Sequence, residues 1–182
     1  MRATDEAEFR EFMATRWPAL LRTAYLLTAD RHLAEDLAQT ALEKAAVSWA
    51  RVRRADDVDA YVRRILINTH LSRFRRRRVA EVLSADTPES AYTATDPDPA
   101  HSVAQRDQVL AALASLPRRQ CAVIVLRYWE DMTESQTADL LGCSVGTVRS
   151  QAHRALAKLR VNPLLTEVSP HAEIERAKEG TT

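Results

Sequence analysis

Two short amphipathic segments separated by one glycine form the most restrictive pattern in the chain, between Thr133 and Arg160. Thr133 and Gln136 have the spacing of a capping box, in which both side chains satisfy free amides at the start of a helix. Gly142 suits the left-handed position that ends such a helix, and Ser144 can cap a second one. The pattern predicts two helices joined by a tight turn.

The second helix has two faces of opposite character. Apolar residues recur at helical spacing on the face that we expect to pack inward, namely Val148, Ala152, Leu156 and Leu159. The other face is polar and cationic and carries Thr147, Ser150, Gln151, Arg154 and Lys158, with Arg149 at its edge. A DNA major groove admits one helix with such side chains, which indicates a DNA-reading helix-turn-helix. The alternative is an ordinary surface helix whose cations are solvated.

The net charge of +1 conceals strong segregation of charge along the chain. Residues 1–50 carry net −2, residues 51–78 carry +7, residues 79–103 carry −5, residues 104–162 carry +3 and residues 163–182 carry −2. Salt screens exposed charges beyond about 8 to 10 Å, so a binding field is a local property. The positive blocks therefore favour nucleic-acid contacts despite the near-neutral total.

The periodicity divides the chain into helical modules. We expect a helix from about Asp5 to Leu27 that Pro18 breaks or restarts, and a second helix capped by Asp30. The inner stripe of the second helix is predicted at Leu33, Leu37, Ala41, Ala45 and Trp49. A third helix opens near Asp57 with an inner face of Val58, Tyr61, Val62, Ile65 and Leu66. Another helix begins at Pro117 and continues through RRQCAVIVLRYWED.

Residues 79–103 lack this periodicity and contain three prolines and five acidic residues, which is linker composition. We therefore predict an all-α fold of two small helical domains, 1–78 and 104–162, joined by a flexible acidic linker, 79–103. The second domain contains the helix-turn-helix, and residues 163–182 form a tail. Whether the two domains pack against each other is left open by the sequence.

Several classes of function have no support in the sequence. The longest wholly apolar run, Cys121 to Leu126, is far too short to cross a bilayer, and the N-terminal residues lack a secretion signal, so we expect a cytoplasmic protein without membrane insertion. Cys121 and Cys143 are interpreted as buried or incidental thiols. No Gly-rich phosphate loop, metal-ligand cluster or catalytic triad order is recognisable. We therefore predict no enzyme, no cofactor, no metal site and no small-molecule substrate.

A second basic element lies in YVRRILINTHLSRFRRRR, residues 61–78. Its apolar inner face is accompanied by cations, amide and hydroxyl groups, and by the aromatic residues Tyr61 and Phe74. Cations bind phosphate, while amide, hydroxyl and aromatic groups can hold unstacked bases. The segment is compatible with single-strand binding, and equally with a solvated arginine run that complements a helix dipole.

Three segments together resemble the extracytoplasmic-function (ECF) sigma factors of the sigma-70 family, the two-domain promoter-recognition subunits of bacterial RNA polymerase. AEDLAQTALEKAAVSW, residues 34–49, resembles the helix by which that family binds the polymerase clamp. Residues 61–78 resemble its −10 melting and reading segment, and residues 116–160 are similar to its −35 reading domain. The likeness spans about residues 5–162, with the motifs in the family's order.

The resemblance implies three sets of binding residues. The core-polymerase set is Asp36, Leu37, Gln39, Thr40 and Lys44. The −10 set is Asn68, Thr69, His70, Leu71, Ser72, Arg73, Arg75, Arg76 and Arg77. The −35 set is Thr147, Val148, Arg149, Ser150, Gln151, Arg154 and Lys158. Many family members carry a basic residue where this chain has Gln151, which implies a changed −35 preference.

The implied function is an ECF-type sigma factor that binds core RNA polymerase and directs promoter-specific initiation. Its implied partners are core RNA polymerase, promoter DNA as −35 duplex and −10 single strand, and an anti-sigma factor that would sequester it. The alternative is a stand-alone helix-turn-helix regulator that binds operator DNA as a dimer. The two differ in whether specific DNA binding requires polymerase.

Overall fold

The described part of the chain is helical throughout, as the sequence predicts. A computed structural model describes the backbone of residues 3–82 and 102–166, with side chains described for 5–73 and 105–165. The first unit consists of α1 (Ala3–Thr28), α2 (Arg31–Val47), α3 (Trp49–Val52) and α4 (Val58–Val82). The second consists of α5 (Ser102–Ala114), α6 (Arg118–Ile124), a π-helical turn (Val125–Trp129), α7 (Glu134–Leu141), α8 (Val145–Arg160) and α9 (Pro163–Thr166). The predicted linker, residues 79–103, lies largely outside the described residues, and the tail lies outside them beyond Thr166.

Local capping signals place most helix ends where the sequence predicts them. The Asp30 side chain accepts a hydrogen bond from the Leu33 amide at 2.8 Å and starts α2. The Asp57 side chain accepts from the Ala60 amide at 2.8 Å and starts α4. Both contacts satisfy amides that have no partner within their helix.

Two predictions about the helices are wrong, and the helix after Pro117 contains a π-helical turn that was not predicted. Pro18 does not break the first helix, because α1 runs through it from Ala3 to Thr28 while packing along α2. Leu33 is exposed and does not belong to the inner stripe, whereas Leu37, Ala41 and Ala45 are buried. The helix after Pro117 is not regular throughout, because it changes to π geometry at Val125.

The first unit has an aromatic core of its own at one end. Trp49 is buried with its ring edge against Phe9, the two ring centroids being 5.1 Å apart at 70°. Phe12 lies 5.3 Å from the same indole ring. The cluster also contains Leu20, Leu42, Ala45, Val52 and Val62, and it joins α1, α2, α3 and α4. The cluster fixes α4 against the rest of the first unit.

A second hydrophobic core continues from the first unit into the second. It includes Leu37 and Leu66 from the first unit together with Leu126, Val148 and Ala155 from the second. Helices α1 and α4 pack against α6, and α4 also packs against α7. The two units therefore share a core and form a closed arrangement.

Polar contacts reinforce this closed arrangement around Glu130. Its carboxylate accepts a hydrogen bond from the Thr23 hydroxyl in α1 and forms an ion pair with Arg63 in α4, with 2.9 Å between Arg63 Nε and Glu130 Oε2. The Glu130 side chain is only 12% exposed. A nearly buried carboxylate is costly to desolvate unless it is paired and hydrogen-bonded, and both of these partners come from the opposite unit.

In the part of the chain that the structure describes, no helix has both the length and the apolar character needed to span a membrane. Cys121 and Cys143 are free thiols. Burial raises the pKa of Cys121 to about 12, so this thiol stays protonated and unreactive at neutral pH. This agrees with the interpretation of Cys121 as a packing residue.

The turn between α7 and α8 predicts opposite effects for alanine at two nearby glycines. Gly142 has φ +61° and open space around its Cβ position, so alanine there suffers only backbone strain and should lower the free energy of unfolding by about 1 kcal/mol. Gly146 lies inside α8 with only an ordinary contact at its Cβ position, so alanine there should raise it by up to about 1 kcal/mol. Urea unfolding of the full chain measures both, and equal signs would contradict the assigned turn.

Glu130 should control the closed arrangement. Glu130→Gln removes the charge that pairs with Arg63, and losing a charged hydrogen bond of about 2 kcal/mol would multiply the open fraction about thirtyfold. The radius of gyration in small-angle X-ray scattering should then rise. Asp131→Asn is the matched control, since Asp131 is an exposed neighbouring carboxylate with φ +49°, a conformation that Asn tolerates. An equal rise in both variants would show that Glu130 is not the controlling contact.

Candidate nucleic-acid interface

The two helices of the predicted helix-turn-helix are set by their caps. The Thr133 hydroxyl accepts from the Gln136 amide at 3.2 Å, and the Gln136 side chain accepts from the Thr133 amide at 2.8 Å. Gly142 has left-handed geometry at the end of α7, and the Ser144 hydroxyl accepts from the Thr147 amide at 3.1 Å. Every capping residue predicted in this segment therefore acts as a cap, which defines both ends of α7 and the start of α8.

Most of the predicted −35 residues lie on the outer face of α8. Arg149, Ser150, Arg154 and Lys158 are exposed, and Thr147 and Gln151 are half-buried. Val148 is the exception, because it is completely buried in the shared core. A side chain in that position cannot contact DNA, so we correct its assignment to a packing role. The remaining six residues form a continuous polar and cationic surface.

One cation of this surface has a partner within the chain. Arg149 Nε donates to Glu134 Oε2 at 2.6 Å, and the contact joins the first turn of α7 to α8. Glu134 was not among the sequence-predicted site residues. It lies fifteen positions before Arg149, and no helical spacing relates two residues on different helices.

The structure separates the predicted −10 residues into accessible and covered groups. Asn68 and Arg73 are exposed, and Leu71 and Ser72 are half-buried. Thr69 and His70 are only 2% and 4% exposed, so neither could meet a DNA strand in the closed arrangement. The side chains of Arg75, Arg76 and Arg77 lie outside the described part of the chain.

A line of polar contacts joins the predicted −10 residues to the predicted polymerase-binding residues. Lys44 Nζ donates to the Thr69 hydroxyl at 2.9 Å. Arg73 donates through Nη1 to Asp36 Oδ2 at 2.7 Å and through Nη2 to the Thr40 hydroxyl at 2.8 Å. Asp36, Thr40 and Lys44 are spaced four residues apart, so they share one face of α2 and align with α4.

The other two predicted polymerase-binding residues have different environments. Gln39 is exposed and lies 3.2 Å from Glu43 through a side-chain hydrogen bond along α2. Leu37 is only 1% exposed and belongs to the shared core. Leu37 therefore cannot contact a partner protein in this arrangement, and its assignment to the binding surface is corrected to packing.

His70 lies at the meeting point of the two units and is held in its neutral form. Burial, together with the nearby cations Arg118 in α6 and Arg73 in α4, lowers its pKa to about 4. A buried neutral imidazole is stable in the folded chain at neutral pH, but its protonation would place a third positive charge among two others. Protonation of His70 at low pH therefore destabilises the closed arrangement.

The lowered pKa of His70 predicts a pH dependence of stability. In the unfolded chain the imidazole gains its proton near pH 6.5, but in the folded chain only near pH 4. The contribution of the neutral His70 to the free energy of unfolding is therefore fully present above pH 6.5. It is lost as pH falls to 4, by up to about 1.4 kcal/mol per pH unit. His70→Gln should flatten the pH dependence of the unfolding free energy in this window. His32→Gln changes an exposed histidine, and the slope of the unfolding free energy against pH should then stay as in the parent chain.

Within the described side chains, those of residues 5–73 and 105–165, no group of three or more His, Cys, Asp and Glu residues could hold a metal ion. The candidate site consists instead of exposed cations and neutral polar groups on α8 and α4. Such groups can bind phosphate and base edges by charge and hydrogen bonding.

Family models match both units of the chain. The model of sigma-70 region 2 matches residues 13–79, which cover most of α1 to α4. The model of sigma-70 region 4 matches residues 106–159, which cover most of α5 to α8.

Curated relatives agree with these matches. The chain is 42% identical over 153 residues to the RNA polymerase sigma-E factor of Streptomyces coelicolor, covering 84% of each protein. It is 30% identical over 142 residues to the ECF RNA polymerase sigma factor EcfG of Rhodopseudomonas palustris, covering 78% of this chain and 77% of that protein.

Solved structures share the arrangement of helices. The sigma factor RpoE in complex with the anti-sigma factor NepR from Bartonella quintana aligns with a TM-score of 0.70 and 26% identity, covering 87% of this chain and 97% of that one. CnrH in complex with the cytosolic domain of CnrY aligns with a TM-score of 0.56 and 24% identity, covering 90% and 91%, and supports the fold alone. Together with the curated relatives, these matches show that the chain belongs to the ECF group of the sigma-70 family of RNA polymerase sigma factors.

Proposed function

We propose that the chain is a promoter-specificity factor that joins core RNA polymerase and directs initiation through −35 and −10 elements. The observation that carries this proposal is the 42% identity to an RNA polymerase sigma-E factor across both helical units. A stand-alone regulator would have no need of a polymerase-binding unit, so the relatives favour the sigma function over that alternative. Polymerase supplies the chemistry, and the chain acts in the cytoplasm without a cofactor and without being an enzyme itself.

The exposed face of α8 is assigned to the −35 duplex. Arg, Gln, Ser and Thr side chains pair with base edges and phosphates in the major groove, and Arg149, Gln151 and Arg154 occupy this face. Thr147, Ser150 and Lys158 extend it along the helix. The cap at Ser144 holds the N-terminal turn of α8, which in such motifs approaches the bases.

Helix α4 is assigned to the −10 strand and α2 to core polymerase. Asn68, Ser72 and Arg73 are accessible in the closed arrangement, whereas Thr69 and His70 are buried and would have to be uncovered before they could meet the strand. Asp36, Gln39, Thr40 and Lys44 are the proposed polymerase contacts on α2. Residues 1–78 and 104–162 are the proposed functional domains, with residues 79–103 as their linker and 163–182 as an unassigned tail.

An anti-sigma factor is a further proposed partner. The two solved relatives described above were each determined with a second protein, the anti-sigma factor NepR in one and the cytosolic domain of CnrY in the other. This chain has the same arrangement of helices, which supports a partner of that type. Such a partner would compete with polymerase for the factor.

Reconstituted transcription tests the proposed function. Core polymerase should start RNA chains at discrete sites on a pooled library of genomic fragments only when this chain is added. Arg154→Ala should reduce starts about tenfold at all promoter sites alike while core binding stays unchanged, since a charged contact to phosphate worth about 1.5 kcal/mol is lost.

Two results would contradict this function. One is identical start sites with and without the chain, and the other is specific duplex binding by the chain alone that added polymerase does not change. The second result would favour the stand-alone regulator. Core affinity is measured in parallel by analytical ultracentrifugation, so that a failure to join polymerase is distinguished from a failure to read DNA.

A further inference from the structure

Among the cations of the α8 surface, Arg149 differs in having a fixed acidic partner. Its guanidinium donates through Nε to Glu134 at 2.6 Å. Arg154 and Lys158 are exposed on the same helix, and within residues 3–82 and 102–166 neither forms an ion pair. Three cations on one surface thus fall into two kinds, one oriented and two free.

The base of Glu134 is itself held rigidly. Glu134 follows Thr133 directly, and the reciprocal capping box between Thr133 and Gln136 fixes this first turn of α7. The next turn is anchored by Thr137, which is completely buried, and Val148 of α8 is completely buried in the same core as α7. The distance between the two helices is therefore set by packing, and Glu134 is a fixed point beside α8.

The chemistry of the guanidinium determines what an oriented Arg149 can recognise. An arginine has five N–H donors in a planar fork, and the bond to Glu134 occupies the Nε donor. The donors on Nη1 and Nη2 remain, and two parallel donors of this kind fit the O6 and N7 acceptors of guanine. The side chain of Arg149 is 68% exposed, whereas that of Glu134 is 33% exposed, so the guanidinium has room to reach DNA.

We propose that Glu134 is a positioning residue for −35 recognition, orienting Arg149 so that it reads a guanine, while Arg154 and Lys158 bind phosphate without base preference. This inference rests on the proposed −35 role of α8. Holding the guanidinium before DNA arrives reduces the rotamer entropy lost on binding. The Glu134 carboxylate also repels phosphate, so it disfavours complexes in which Arg149 does not find its base.

The two effects of Glu134 make distinguishable predictions for its neutral variant. Glu134→Gln keeps the size of the side chain but removes the charge that holds the guanidinium. Discrimination at one base position should fall about three- to tenfold, which is part of the range for one bidentate arginine pair. Affinity for duplexes that lack the preferred base should stay equal or increase, since a like charge near the phosphates is removed.

The experiment uses holoenzyme reconstituted from core polymerase and the full chain, with a promoter library randomised over the −35 interval. Arg149→Ala first identifies the position that depends on Arg149, expected to be a guanine. Glu134→Gln should relax that same position and no other. In the Arg149→Ala background Glu134→Gln should have no further effect on base preference, because Glu134 acts through the arginine.

Arg154→Ala is the matched control. Removing the Arg154 guanidinium should weaken binding of the holoenzyme about equally to all promoters in the library. It should also reduce the salt dependence of binding, as expected for a phosphate contact. Thermal unfolding of each full-length variant verifies that the caps around Thr133 are intact. Glu134→Asp tests the length of the side chain. Its shorter carboxylate should retain part of the base discrimination that Glu134→Gln loses.

Two outcomes overturn the inference in different ways. If Arg149→Ala alters one position and Glu134→Gln changes none or all of them, Glu134 is not a positioning residue, and the −35 role of α8 stands. If Arg149→Ala leaves every base preference unchanged, the inference and the assignment of Arg149 to −35 reading fail together. Initiation that still depends on the chain would then preserve the broader sigma function.

Discussion

The structure depends on the placement of α4, which must satisfy neighbours on two sides at once. Leu66 and Ile67 are completely buried, and Val62 is buried at the aromatic end of the first unit. The polar edge of α4 meets α2 through Thr69 and Arg73, and Arg63 meets the second unit through Glu130. Because the apolar residues fix the helix in position, each polar residue beside them has a defined partner. The basic segment is therefore a structural centre as well as a candidate DNA surface.

Local signals made most of the fold predictable from sequence. A cap depends on side chains and amides within three or four residues, so Asp30, Thr133, Gly142 and Ser144 could be placed from their spacing alone. Pro18 was wrongly predicted to break the helix, because the cost of its missing hydrogen bond can be read from the local sequence. The packing of α1 along α2, which offsets that cost, cannot be read from the local sequence. The π-helical turn from Val125 has the same explanation. The turn begins at Val125 and Leu126, which are buried at the end of the apolar run from Cys121, and such a run carries no periodicity from which a change of helix type could be predicted.

The candidate site was predictable in its residue types and less so in its contacts. The outward face of α8 follows from helical periodicity, and the structure exposes or half-exposes every predicted member except Val148. Val148 and Leu37 were included through a family resemblance that spans whole segments, and such a resemblance does not separate a core residue from its exposed neighbours. The partners of Arg149 and Arg73 could not be predicted, because Glu134 and Asp36 lie on other helices. Pairing of this kind is determined by distances that only the packed chain defines.

The closed arrangement treats the two candidate DNA surfaces differently. The outer face of α8 is open, with Arg154 and Lys158 exposed, while Thr69 and His70 on α4 are covered. If both assignments hold, duplex contacts through α8 are available before strand contacts through the covered part of α4. Opening would expose apolar residues that the two units share, among them Leu66, Leu126 and Val148, and would break the contacts of Glu130 with Thr23 and Arg63. Opening would also hydrate the Glu130 carboxylate and leave Arg63 without this ion pair, so one of the cations that give residues 51–78 their net charge of +7 would become available. Because the attraction of such a segment for phosphate grows with each unpaired cation, a nearby DNA strand would itself stabilise the open form.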